Sequence, residues 1–325
     1  MKPAFSVIFL TTLIGAAQGL FLALFTHQTY SLFGLLPMQS TFFYGYGAGL
    51  ALLLLLGGLV SSFFHLGHPE RAWRAVTQWR TSWLAREVVV LPVFMVLVFL
   101  YGIAQLSGIN PTLFTLKSGL LVDATVILGI VGTVLAFLLF ITTGMVYAGI
   151  RFLQEWHSPL TIINYILLGS ASGFTLAALF AAHFASSQVQ FFVGWSIVIT
   201  VLAMIGRIAS LIRNAKLKPK STLQTAIGIK HPKIKQSAAG FLGGSFNTRE
   251  FFHGTSKFWL RLIKWFFMFA VFVLPLAMLS STLGSISPAL LWLAVVIQYI
   301  GLIAERWFFF AQANHPQNLY YQAIS

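Results

Sequence analysis

Eight apolar stretches, each long enough to cross a hydrocarbon core of roughly 30 Å as a helix, dictate what this chain can become. They run over residues 4–26, 41–64, 87–107, 119–141, 160–184, 191–212, 262–283 and 288–311. A mean hydropathy of +0.86 excludes an ordinary soluble domain. Long uninterrupted runs, rather than short alternating ones, predict a helical bundle and not a membrane β-barrel. The expected fold is all-α, a polytopic membrane protein with eight transmembrane helices arranged as two four-helix bundles. Its organisation is helices 1–6 over 1–212, a basic loop over 213–261, and helices 7 and 8 with a tail over 262–325.

The first apolar run resembles a secretory signal in position only. It is longer than a signal's apolar region, has Lys2 alone as a positive flank and meets no clear cleavage motif, so it is expected to stay as a helix. The chain has no cysteine, which excludes disulfides, thiolate zinc sites and the usual protein-ligated iron–sulfur clusters. Arg71, Arg74, Arg80, Arg86, Arg151 and Arg306 fall on one face together with Lys2 and the basic loop, against Lys117 on the other. The positive-inside rule makes the first face cytoplasmic, with both termini there.

Helix 2 carries Gly45, Gly47, Gly49, Gly57 and Gly58, small residues suited to close helix approach in lipid. Polar chemistry then concentrates at the boundary of helices 2 and 3, in Phe64-His65-Leu66-Gly67-His68-Pro69-Glu70-Arg71-Ala72-Trp73-Arg74 and on to Trp83-Leu84-Ala85-Arg86-Glu87. An imidazole that titrates near neutrality can bond an oxygen and pass a proton, and a partly buried glutamate can relay it. His65 and Glu87 therefore suit a redox-active, proton-coupled lipid. They equally suit a bland reading, in which His65 caps a helix end and Glu87 pairs with Arg86, Arg71 or Arg74.

Other polar residues are less specific. His27 and His183 near the opposite face have the types needed to bracket a haem, but lone helix-end histidines are commonly interfacial. Asp123 is either the start of a proton path or a helix N-terminal acid that suits the dipole. Glu305 and Arg306 can form a local pair, and Arg207 is an ionisable group near a helix end. From Arg213 to Lys264 the chain has eleven Lys and Arg against Glu250 alone. Lipid attraction accounts for part of that charge. The Phe-rich stretch with Phe246, Asn247, Arg249 and His253 reads as a docking surface for a peripheral subunit.

The segment Ser61-Ser62-Phe63-Phe64-His65-Leu66-Gly67-His68-Pro69 with Arg71-Ala72, the Arg86-Glu87-Val88 start of helix 3, and Gly244-Ser245-Phe246-Asn247-Thr248-Arg249-Glu250-Phe251 together resemble membrane-anchor subunits of the dimethyl sulfoxide reductase type, in the polysulfide reductase anchor class. Within it, the chain is most similar to anchors of cytoplasmic sulfite-oxidising molybdoenzymes. The resemblance implies an anchor without haem that binds menaquinone or ubiquinone. It also implies two partners, a four-cluster ferredoxin-like iron–sulfur subunit and a molybdopterin catalytic subunit. It assigns quinone contact to His65 and Glu87, with Arg71 and Arg86 beside them and Trp73 and Trp83 as walls. The implied function is to pass electrons from sulfite to the quinone pool. The alternatives are a quinol-oxidising reductase anchor and, from another class, a secondary transporter or structural scaffold.

Overall fold

A computed structural model describes residues 3–115, 121–219, 221–237, 256–316 and 318. Eight helices in it are long and apolar enough to cross a membrane. They are α1 (Phe5–Leu32), α2 (Thr41–Phe63), α3 (Trp83–Ser107), α4 (Ala124–Ala148), α5 (Pro159–Phe184), α6 (Val189–Ala215), α8 (Lys257–Thr282) and α9 (Pro288–Ala311), with a short α7 (Leu223–Ile227) in the loop after α6. The expectations for Lys2, Lys117 and the stretch holding Phe246, Asn247, Arg249 and His253 lie outside the described residues.

The helices close into two rings. In one, α1, α2, α3 and α4 pack in sequence and α4 returns to α1; in the other, α5, α6, α8 and α9 do the same and α9 returns to α5. The rings share the α1–α5 seam. These two helices bury 78% of their central windows, against 28–39% for the other six, which face outward.

The seam closes because both helices carry glycine at a four-residue spacing, Gly15 and Gly19 facing Gly169 and Gly173. A Cβ on Gly173 would overlap the backbone of Gly19 and Leu20, and one on Gly19 would overlap Gly169. Small residues are what let helix backbones touch where lipid removes the hydrophobic drive for association. The expected glycines of α2 have a lesser part. Gly45, Gly47 and Gly58 abut Leu106, Leu24 and Ile14, while Gly49 faces open space.

Helix ends follow local capping chemistry. Ser82 caps α3 by accepting from the Ala85 N–H at 3.3 Å, so the helix begins at Trp83 rather than near Glu87. Glu87 therefore sits one turn inside the helix. Asp123 caps α4, accepting from the Val126 N–H at 2.9 Å, which is the helix-terminal reading of that acid. The same residue pairs with Thr112 in a short antiparallel pair of strands, β1 (Thr112–Thr115) and β2 (Leu121–Asp123), a small addition to the all-α expectation.

Within α8, a π-helical turn at Phe269–Val273 precedes Pro275. Pro275 has no N–H to offer the Val271 carbonyl. Gln298 from α9 supplies the donor instead, at 3.4 Å, an example of a neighbour satisfying backbone freed inside a membrane helix.

Eight successive crossings put the start of α1 and the end of α9 on one face with the 64–82 and 149–158 connections and the end of α6. Arg71, Arg74, Arg80, Arg86, Arg151 and Arg213 lie on or beside these segments and make this the basic face.

Candidate functional site

On the basic face the chain leaves α2 at Phe63 and runs into an exposed 3-10 helix, Pro69–Gln78. His65 lies between them. Its backbone N–H donates to the Ser62 carbonyl at 3.3 Å, whereas its exposed imidazole has no hydrogen bond to another described residue. Desolvation of the ring by nearby chain lowers its pKa from the ordinary 6.5. The neutral imidazole, able both to donate and to accept, therefore dominates at neutral pH. Phe63 and Phe64 just before it, and Trp73 and Trp79 farther along the segment, are exposed, apolar side chains of the kind that sit at headgroup depth.

Nearby charges are largely occupied with one another. Glu70 takes His68 Nδ1 at 3.0 Å and Arg71 Nε at 3.6 Å, all three exposed. Arg71 is thus paired to Glu70 and not to Glu87. Arg86 holds the end of the segment in place: its guanidinium donates to the Trp79 carbonyl at 2.9 Å and the Arg80 carbonyl at 2.7 Å. It also lies 4.0 Å above the Trp83 ring, and Trp83 in turn approaches Gly149 at the end of α4.

Glu87 follows Arg86 directly, yet successive residues on a helix point about 100° apart. Arg86 faces the loop, while the Glu87 carboxylate accepts a 2.6 Å hydrogen bond from Thr143 of α4. It lines an internal cavity of about 20 Å³ with Thr12, Gln18, Thr143, Tyr165 and Arg306. Of the two bland expectations for this pair, pairing of Glu87 with Arg86, Arg71 or Arg74 is not what the geometry contains. The His65–Glu87 pair is likewise not joined by a hydrogen bond: His65 is on the surface, and Glu87 is turned to the interior.

The interior holds a second cluster, larger than the local pair expected at Glu305 and Arg306. Glu305 is fully buried, with Arg207 Nε 2.8 Å from one carboxylate oxygen and Arg306 Nε 3.5 Å from the other. Arg306 stacks 3.8 Å above the Tyr165 ring, and Arg207 lies over Phe267 at 5.4 Å. Charges buried this deeply are tolerated in a bundle only when paired and shielded by protein. Arg306 lines the cavity of Glu87 as well as that of Glu305, so the two carboxylates belong to one polar interior.

Thr143, Gln18 and Tyr165 were not among the expected site residues. Nothing in their local sequence marks them; only packing of α1, α4 and α5 makes Thr143 the hydrogen-bond partner of Glu87 and brings Gln18 and Tyr165 to its cavity. At the opposite face, both ring nitrogens of buried His27 are taken by protein partners, Tyr44 at 2.9 Å and Gln188 at 3.0 Å. His183 accepts from Trp292 at 3.1 Å.

The fold and the site define a polytopic helical membrane protein with ionisable groups in its interior. The family model for the DMSO reductase anchor subunit (DmsC) matches residues 1–310. The sequence is also 51% identical over 327 aligned positions to a sulfite dehydrogenase subunit of Allochromatium vinosum, covering the whole of both chains. The chain belongs to the DMSO reductase anchor subunit family.

Proposed function

We propose that this protein is the membrane anchor and quinone-reactive subunit of a sulfite-oxidising complex in a bacterial inner membrane, with its basic face cytoplasmic. The observation that carries the sulfite reading is full-length identity of 51% to a sulfite dehydrogenase subunit. Partners of this reading are a four-cluster ferredoxin-like iron–sulfur subunit and a molybdopterin catalytic subunit. They dock on the basic face, and the sequence of the 213–261 loop, with Phe246, Asn247, Arg249 and His253, supplies basic and aromatic residues suited to that contact.

The residues at the 64–87 boundary fit a quinone. A quinone, menaquinone or ubiquinone, supplies two-electron, two-proton chemistry when bound. His65 presents an imidazole with no competing protein partner among the described residues, beside apolar surface that suits an isoprenoid lipid. In this reading His65 bonds a quinone oxygen and exchanges a proton with it. Arg86 keeps the segment against α3, Trp73 and Trp83 supply aromatic walls, and Arg71 orders the segment through Glu70. Glu87 holds or releases a proton one turn deeper, at a carboxylate positioned by Thr143.

A second reading, a quinol-oxidising reductase anchor, is favoured by the reductase for which the matched family is described. The intact complex with its partner subunits separates the two. Sulfite-dependent reduction of a short-chain quinone supports the sulfite reading. Absence of that activity, with quinol-dependent reduction of a sulfoxide, overturns it in favour of the reductase.

A further inference from the structure

Three cavities run inward from the basic face and share lining residues. The outermost, about 660 Å³, is open and bounded by Glu155, Asn214, Lys218, Asn314 and His315. Glu155 and Asn214 also line the next, a chamber of about 10 Å³ that contains Asn164, Arg207, Ser210 and Glu305. Arg306 is common to that chamber and to the one of about 20 Å³ at Glu87. Each inner chamber has room for about one water molecule, and each has several polar side chains in its walls, the partners that a buried water needs.

The chamber walls also require something more than protein. Asn164 Oδ1 and Arg207 Nη2 are buried without a protein hydrogen bond, although Asn164 and Arg207 are only 4% and 2% exposed. The Arg207–Glu305 approach at 2.8 Å is a charge contact that lacks hydrogen-bond alignment. Buried polar atoms without protein partners are, as a rule, satisfied by water. The polar side chains succeed one another at short range: Asn314 bonds Glu155 at 3.0 Å, Asn214 bonds the Glu155 carbonyl at 3.3 Å, and Asn164 bonds Ser210 at 2.7 Å.

We infer that the vestibule at Glu155, the chamber at Arg207–Glu305 and the chamber at Glu87 form one hydrated route that carries protons between the basic face and the Glu87 carboxylate. The transfer is a relay: a proton enters at the vestibule, hops through water held by Asn164, Ser210 and the Glu305 cluster, and ends on Glu87, or runs the reverse way. No electron moves along it. Arg207 and Arg306 against Glu305 and Glu87 leave the interior formally neutral with both carboxylates ionised. Neither a bare cation nor a bare anion has a preferred resting place there, while a proton can still be taken by Glu87. The use of the route rests on the quinone reading above; its existence does not.

The test uses the intact complex without added quinone. Infrared difference spectra after a light-triggered pH jump follow uptake of a proton by the Glu87 carboxyl, identified as the band missing from Glu87→Gln. The account expects uptake to be slower by about tenfold or more in Asn164→Leu, and unchanged in Thr282→Val at the far end of α8. Ser210→Val, which removes the partner of Asn164 and a polar wall of the same chamber, replaces Asn164→Leu if that variant does not assemble. Equal uptake rates in the wild type and the route variant overturn the inference, as does a Glu87 carboxyl that takes up no proton across about pH 5 to 9. Either failure leaves quinone contact at His65 standing, because no quinone is present in the measurement.

Discussion

Thr143 Oγ1 donates a 2.6 Å hydrogen bond to Glu87 Oε1, joining the last turns of α4 to the first turns of α3 inside the bundle. The bond turns a glutamate at the membrane edge into an interior group. It also separates the roles of Arg86 and Glu87: one organises the surface segment, and the other faces the polar interior.

If Thr143 positions the Glu87 carboxylate for proton exchange, Thr143→Val removes a hydrogen bond to a charged group, worth about 1.5–3 kcal/mol. Turnover with quinone is expected to fall about tenfold at unchanged turnover with an artificial electron acceptor, and Thr143→Ser is expected to restore it. Equal rates in Val and Ser variants would show that the hydroxyl has no such role.

The Arg207–Glu305–Arg306 cluster predicts an order of damage. Glu305→Gln leaves two neighbouring guanidiniums without their shared counter-charge, whereas Arg207→Gln leaves Glu305 paired to Arg306. Breaking a buried pair from one side costs about 3–5 kcal/mol. Thermal unfolding of the detergent-solubilised complex should therefore be lowered more by Glu305→Gln than by Arg207→Gln; the reverse order would contradict the shared-counter-ion arrangement.

Gly173 faces the backbone of Gly19 across the seam between the two rings. Gly173→Leu has backbone in its way rather than a movable side chain, beyond the about 1–3 kcal/mol typical of overpacking. Membranes should hold little assembled anchor with this variant. Gly49→Leu, where the side chain meets open space, should assemble normally, as judged by recovery of the partner subunits in the membrane fraction.

The eight spans were legible because hydropathy and length report directly on lipid. Ser82 and Asp123 as helix caps were also readable from residue type, and a stricter use of Ser82 places Glu87 one turn inside α3. The paired glycine spacings of Gly15–Gly19 and Gly169–Gly173 are equally visible along the chain, although the glycine-rich α2 draws more notice. Convergence of Arg207 with Glu305 and Arg306 is different. It arises because α6 and α9 both pack against α5, which no local pattern encodes. The same holds for Thr143 and Tyr165, ordinary helix residues until α4 and α5 bring them to the Glu87 cavity.

The central claim is that His65 is the quinone-contacting residue at the basic face, and one comparison tests it most directly. In the purified complex, His65→Ala should lower sulfite-dependent reduction of quinone by about 100-fold or more, the scale of a lost acid–base group. Sulfite oxidation with an artificial acceptor that takes electrons from the partner subunits should continue at the wild-type rate, and the complex should assemble. Undiminished quinone reduction by the assembled His65→Ala complex would contradict the account.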